Sequence, residues 1–144
     1  MNRERPTALR YLESSALVGL LLEGDKDVAS SLSADGDLVA SALTFAETSR
    51  AIVRATHSRR LGQEELRGIL RLLNQIRSRT AAIAISGEIL ARVGRAFPIE
   101  PIRTLDAIHL ASAESLGESP AFVTVVTRDK RLRENAQALG YVVE

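Results

Sequence analysis

Residues 121–143 read AFVTVVTRDKRLRENAQALGYVV. AFVTVVT (121–127) is a continuous apolar and β-branched run, the best strand signal in the chain. DKRLRENAQALG (129–140) follows with helical spacing and a glycine stop, and YVV (141–143) returns to strand. A strand without polar alternation is buried on both faces, as in a parallel sheet covered by helices. The same alternation continues toward the N-terminus. RTLDAIHLASAESLG (103–117) and GEILARVGRAF (87–97, stopped by Pro98) read as helices, and AAIAIS (81–86) as a strand. GQEELRGILRLLNQIRSR (62–79) keeps apolar residues at 66, 69, 70, 73 and 76, and TFAETSRAIVRATHSRR (44–60) is a second long helix. LVASA (38–42) and ALRYLE (8–13) are strands. Between them lie SSALVGLLLEGD (14–25) and a short helix in KDVASSLSADGD that stops at Asp35-Gly36. The expectation is an α/β chain in three layers, with a central, mostly parallel sheet of about five strands and helices on both faces. At 144 residues it is expected to form one domain, 1–144.

Composition narrows the chemistry. There are no cysteines, which removes disulfides, thiolate metal sites and cysteine nucleophiles. The longest apolar run, 16–22, is too short to span a bilayer, and MNRERPTALR (1–10) has no signal core. The expected location is the cytoplasm, with no membrane partner. Net charge is +1, so bulk charge does not point to nucleic acid. Lys26 and Lys130 are the only lysines among 19 basic residues. That arginine bias suits bidentate phosphate contact, and equally fits codon bias. Aromatic residues are 3%, which argues against a stacking platform for single strands.

In a parallel sheet, function gathers beyond the carboxyl ends of the strands. Glu13 ends the first strand, and Asp129 lies two residues past the fourth. Glu47 falls in the first turn or so of the helix after the second strand, and Asp106 starts the helix before the fourth. Each has a plainer reading. Thr44 and Glu47 fit a capping box. Asp106 and Asp129 suit helix N-termini. Glu13 suits the exposed end of an edge strand. Together the four acids point to a cation, because clustered carboxylates do not all stay ionised without one. Oxygen ligands with no cysteine and few histidines select Mg²⁺ or Mn²⁺.

Four blocks, YLESSALV (11–18), ALTFAETSRAIVR (42–54), RTLDAIHLASA (103–113) and VVTRDKRLRENAQALGY (125–141), resemble the motif blocks of PIN-domain ribonucleases. They are most similar to the VapC-type toxins of toxin–antitoxin pairs. The resemblance implies a PIN-like fold and metal-dependent hydrolysis of RNA phosphodiesters, leaving a 5′-phosphate and a 3′-hydroxyl. It implies Glu13, Glu47, Asp106 and Asp129 as the catalytic acids, with Glu13, Asp106 and Asp129 on Mg²⁺ or Mn²⁺. It matches Ser15 and Thr127 to the family's small hydroxyl positions beside the metal. Two positions depart from the pattern: Glu13 stands for the usual aspartate, and Gly19 for a common lysine. The departure at Glu13 favours the alternative, a catalytically weakened PIN-like module that binds RNA or protein.

Arg50, Arg54, Arg103 and Arg128 lie near these blocks and are candidates to hold the RNA backbone, or are surface residues. His109 reads as a hydrogen-bonded packing residue and His57 as a helix-end cation. A phospho-receiver domain needs an acidic pair after the first strand and a late lysine, which LESS and VTRD do not supply. A haloacid-dehalogenase-type phosphatase needs an aspartate where Glu13 stands. The implied partners are RNA, a VapB-type antitoxin and a second copy of the chain, as a homodimer or within a hetero-oligomer. Leu17, Leu20, Leu21, Val28 and Leu32 are expected to leave an apolar groove for an antitoxin helix.

Overall fold

The structure, a computed structural model, describes residues 8–144; most of the stretch read above for a secretion signal lies outside the described residues. Five strands, β1 (Leu9–Leu12), β2 (Asp37–Ser41), β3 (Thr80–Ile83), β4 (Val123–Val126) and β5 (Val142–Val143), form one sheet in the order β3-β2-β1-β4-β5. Every pairing is parallel. Helices α1 (Ser14–Glu23) and α2 (Lys26–Ser33) connect β1 to β2, and α3 (Ala42–His57) and α4 (Gln63–Ser78) connect β2 to β3. The long return from β3 to β4 carries α5 (Gly87–Val93) and α6 (Thr104–Glu114), and α7 (Lys130–Ala138) joins β4 to β5.

Side chains alternate across a strand, so each strand feeds two cores. Tyr11, Val39, Val123 and Val125 point to one face, where Ile89 of α5, Leu110 of α6 and Leu132 of α7 meet them. Leu12, Leu38, Ala40 and Val126 point to the other, beneath Leu17 of α1, Phe45 of α3 and Leu73 of α4. The three-layer expectation holds, and the unbroken apolar strands have their cause: both faces are covered.

Local signals explain the boundaries that shifted. β4 starts at Val123 because Pro120 seeds a short 3₁₀ turn, Pro120–Phe122. The helix read from residue 44 begins two residues earlier, where the Ser41 hydroxyl accepts from Leu43 N at 3.1 Å. Ser41, not Thr44, is therefore the cap, and the capping-box reading of Thr44 and Glu47 is overturned. Thr44 instead donates to the Leu12 carbonyl at 2.9 Å and ties α3 to the end of β1.

Two further expectations are corrected. Glu13 does not end an edge strand, because β1 is central, flanked by β2 and β4. The leucines of α1 and α2 form no groove: Leu17, Leu21, Val28 and Leu32 are core, and Leu20 packs against the same cluster. These side chains are taken up by the core shared with α3, α4 and the sheet. The apolar cleft lies between α3 and α4 instead. It encloses about 440 Å³ and is lined by Ile52, Val53, Thr56, Leu66 and Leu70.

Candidate active site

β1 and β4 lie side by side in the sheet, while the chain leaves their carboxyl ends toward opposite faces, through α1 and α7. That divergence opens a crevice of the kind ligands occupy in parallel sheets. The register pairs Leu12 with Val126, so Glu13 and Thr127 are neighbours. A cavity of about 370 Å³ lies here, and Glu13, Glu47, Asp106 and Asp129 all line it, with Ser15. The structure thus brings all four predicted acids to one place, from β1, α3, α6 and α7.

Each acid is set by its local chain. Asp129 is the N-cap of α7, and its Oδ1 accepts from Leu132 N at 3.0 Å. The capping reading is correct and does not exclude the site, because Asp129 lines the cavity as well. Asp106 lies in the first turn of α6, its side chain 14% exposed. Its Oδ2 is buried and has no hydrogen-bond partner. The nearest cation, Arg103, places Nε 3.6 Å from that oxygen and Nη2 4.0 Å from Asp129 Oδ2, both beyond hydrogen-bond range. Burial raises the Asp106 pKa, and the Asp129 and Glu13 carboxylates add to the rise, against the opposing charges of Arg103 and His109. A buried carboxylate oxygen with no hydrogen-bond donor, beside other carboxylates and with only an exposed arginine 3.6 Å away, is suited to bind a further cation. The donor set is oxygen-rich, so it fits a hard divalent ion.

Glu13 is different. It is 4% exposed and held by its neighbours. Oε1 accepts from Ser14 Oγ at 2.8 Å and Ser15 N at 3.0 Å. Oε2 accepts from Thr127 Oγ1 at 2.7 Å and from Ser15 Oγ. Ser15 and Thr127 therefore orient Glu13, and they touch each other at 3.2 Å. The longer glutamate arm reaches into this hydroxyl nest while remaining in the cavity wall.

Glu47 sits on α3 one turn past the Thr44 tether, which swings it over Glu13. Its Oε1 lies 2.8 Å from Ser14 Oγ and 2.6 Å from His109 Nε2. Burial acts to raise its pKa, but the hydrogen bonds from His109 and Ser14 and the charge of His109 win and hold it below the ordinary value. Glu13, Glu47 and His109 also bring one ligand atom each within 4.8 Å of one another.

His109 is the residue that sequence reasoning undervalued. It is a buried hydrogen-bonded side chain, as expected, but its partner is a site acid. The available signal was spacing: residues three apart share a helix face, so His109 points the way Asp106 does. Of the four candidate arginines, Arg54 and Arg103 line the cavity. Arg128 is held outside it by Asp25, with Nε–Oδ2 2.7 Å and Nη2–Oδ1 2.8 Å. This pair stands over Gly19, where an added Cβ would meet Asp25 Oδ2 at 3.6 Å and Arg128 Cγ at 4.0 Å.

The PIN domain family model matches residues 10–138. Ribonuclease VapC35 of Mycobacterium tuberculosis is 36% identical over 137 residues, covering 92% of this chain and 93% of its own. Ribonuclease VapC46 of the same species is 35% identical over 135 residues, with 92% and 94% covered. Among solved structures, VapBC2 from Rickettsia felis, bound to a promoter DNA fragment, superposes with a TM-score of 0.65 at 14% identity, covering 94% of this chain and 97% of that one. Mycobacterium tuberculosis VapC20, a sarcin-ricin loop-cleaving toxin, gives 0.62 at 13% identity over 92% and 96%. The match of family, relatives and fold over nearly the whole described length makes this chain a member of the PIN-domain family, among its VapC-type proteins.

Proposed function

We propose that this chain is a metal-dependent endoribonuclease, the toxin of a toxin–antitoxin pair acting in the cytoplasm. The observation that carries the reading is the unpartnered Asp106 Oδ2, buried in a cavity shared with three more carboxylates. Asp106, Asp129 and Glu13 would hold Mg²⁺ or Mn²⁺. When bound, the ion supplies a water of lowered pKa and countercharge for the pentavalent phosphate transition state. Glu47, kept anionic by His109 and Ser14, accepts a hydrogen bond from the attacking water and aims it. Arg54 and Arg103 at the cavity wall hold the phosphate oxygens. Ser15 and Thr127 keep Glu13 from swinging. Water attack of this kind leaves a 5′-phosphate and a 3′-hydroxyl.

The same reading supplies a partner. The cleft between α3 and α4 is lined by aliphatic side chains, with Val53 and Leu70 exposed. An amphipathic helix laid into such a groove buries its apolar stripe against these side chains. We assign this cleft to the C-terminal helix of a VapB-type antitoxin. A homodimer of the chain inside that hetero-oligomer completes the assembly.

Expression in a bacterial host tests the reading. The wild-type chain should arrest growth, and Asp106→Asn at equal expression should not. Equal arrest by both would remove Asp106 from the chemistry. A folded wild-type chain that leaves growth and RNA intact would favour the binding-module alternative.

A further inference from the structure

Glu47 has two contacts, and both fall on Oε1. Among the described residues Oε2 makes no hydrogen bond. One of the two donors is not available full time. Ser14 Oγ stands 2.8 Å from Glu47 Oε1 and 2.8 Å from Glu13 Oε1. A hydroxyl carries one hydrogen, so it serves one of these carboxylates at a time. Glu13 has three other donors in Ser15 N, Ser15 Oγ and Thr127 Oγ1. Glu47 has only His109.

His109 is built for that task. The ring is 1% exposed on α6, and its Nε2 lies 3.9 Å from Glu13, too far to hydrogen-bond there. Nδ1 lies 2.9 Å from the hydroxyl of Tyr11, which projects from the central strand. The two rings meet edge to face, 6.1 Å apart at 78°. Tyr11 is itself fully packed, so the imidazole is fixed by the sheet and not by the helix surface. Two acceptors do not approach to 2.6 Å, so a proton lies between Nε2 and the carboxylate. With the Tyr11 hydroxyl donating to Nδ1, the ring carries its hydrogen on Nε2, facing the carboxylate.

We propose that His109 is a positioning residue of this site: anchored on Tyr11 through Nδ1, it donates Nε2–H to Oε1 of Glu47 and so turns Oε2 toward the cavity. The inference rests on the nuclease reading of that cavity. It explains why a histidine stands one turn after Asp106 within a stretch, Ala107–Ala113, otherwise made of aliphatic and small residues.

The test separates contact from chemistry. In nitrogen-15 NMR of the metal-free chain, His109 should show a protonated Nε2 with a slowly exchanging, low-field hydrogen. Glu47→Gln should move that resonance strongly and leave the other histidine unchanged. For the reaction, His109→Leu should lower kcat about 10- to 100-fold, the usual cost of losing an outer hydrogen bond, with KM within about twofold. His109→Gln, whose amide offers a donor at similar reach, should recover most of that loss, and Tyr11→Phe should fall between them. Melting curves establish that each variant is folded. An unprotonated Nε2 in the NMR experiment overturns the proposal, even if His109→Leu fails to fold. A folded His109→Leu with wild-type kcat, or a His109→Gln no better than leucine, also overturns it. A wild-type chain that cleaves no RNA sinks the nuclease reading, while the NMR result still decides the contact.

Discussion

Asp106→Asn should make the metal-free protein more stable and the metal-loaded protein less stable than wild type. The substitution keeps the side-chain shape and removes one charge. In the wild type, that charge is largely buried, has an Oδ2 without a partner, and faces the Asp129 and Glu13 carboxylates. A buried acceptor without a partner costs about 1–3 kcal/mol. An amide retains part of that cost and lacks the repulsion, so the net gain should be about 1 kcal/mol. For a chain of this size that raises the melting temperature by about 3 °C. The pH dependence follows from the direction of the shift. The fold raises the Asp106 pKa above its ordinary 3.8, so the ionised form is disfavoured in the folded state. That penalty is present above the folded pKa and fades as pH falls to the unfolded value. The advantage of the variant should therefore shrink as pH falls through the raised folded pKa and vanish by about pH 4. With Mn²⁺ at about a hundred times its Kd, the wild type gains about 2.7 kcal/mol, and the order inverts. Differential scanning calorimetry with EDTA and with Mn²⁺ reads both arms. A variant that melts lower than wild type without metal would refute the claim that the Asp106 carboxylate is a net cost to the metal-free fold.

Glu13→Gln should lose cleavage and cost about 1–3 kcal/mol, because its amide NH₂ is set among donors, whereas Glu13→Asp should stay active; urea melts and cleavage assays compare the two. Mn²⁺ should raise the melting temperature of the wild type but not of an Asp106→Asn, Asp129→Asn double variant, and an equal rise in both would mean non-specific ion binding. Leu70→Glu, on the exposed lip of the α3–α4 cleft, should weaken co-purification with the antitoxin by about tenfold or more while RNA cleavage by the free chain is unchanged; normal co-purification would place the antitoxin elsewhere.

The layers were legible because two periodicities are explicit. Val123, Val125 and Val126 leave no polar face, and residues 66, 69, 70, 73 and 76 keep helical spacing. The four acids were legible because each follows a strand or lies near the start of a helix, and in a parallel sheet those points share the carboxyl edge. What stayed hidden depended on the order of strands, which no local pattern encodes. Glu13 reads equally as an edge or a centre until β1 is seen between β2 and β4. The leucines of α1 and α2 carry the same spacing whether they face a partner or the sheet; only the area to be covered decides. Thr44 and Glu47 carry a capping spacing, and it took the Ser41 cap to free them. The His109–Glu47 contact joins residues 62 apart in sequence, so only the packing of α6 against β1 and α3 reveals it.

Cleavage of RNA by the purified chain is the most direct measurement of the central claim. With Mn²⁺ or Mg²⁺ present, the wild type should cut RNA internally and leave 5′-phosphate ends, identified by ligation and end-labelling. EDTA should stop the reaction and added Mn²⁺ restore it. Asp106→Asn and Asp129→Asn should each be inactive while melting as folded proteins. Cleavage that survives EDTA, or that persists in both folded variants, would contradict a site built from these carboxylates around a cation.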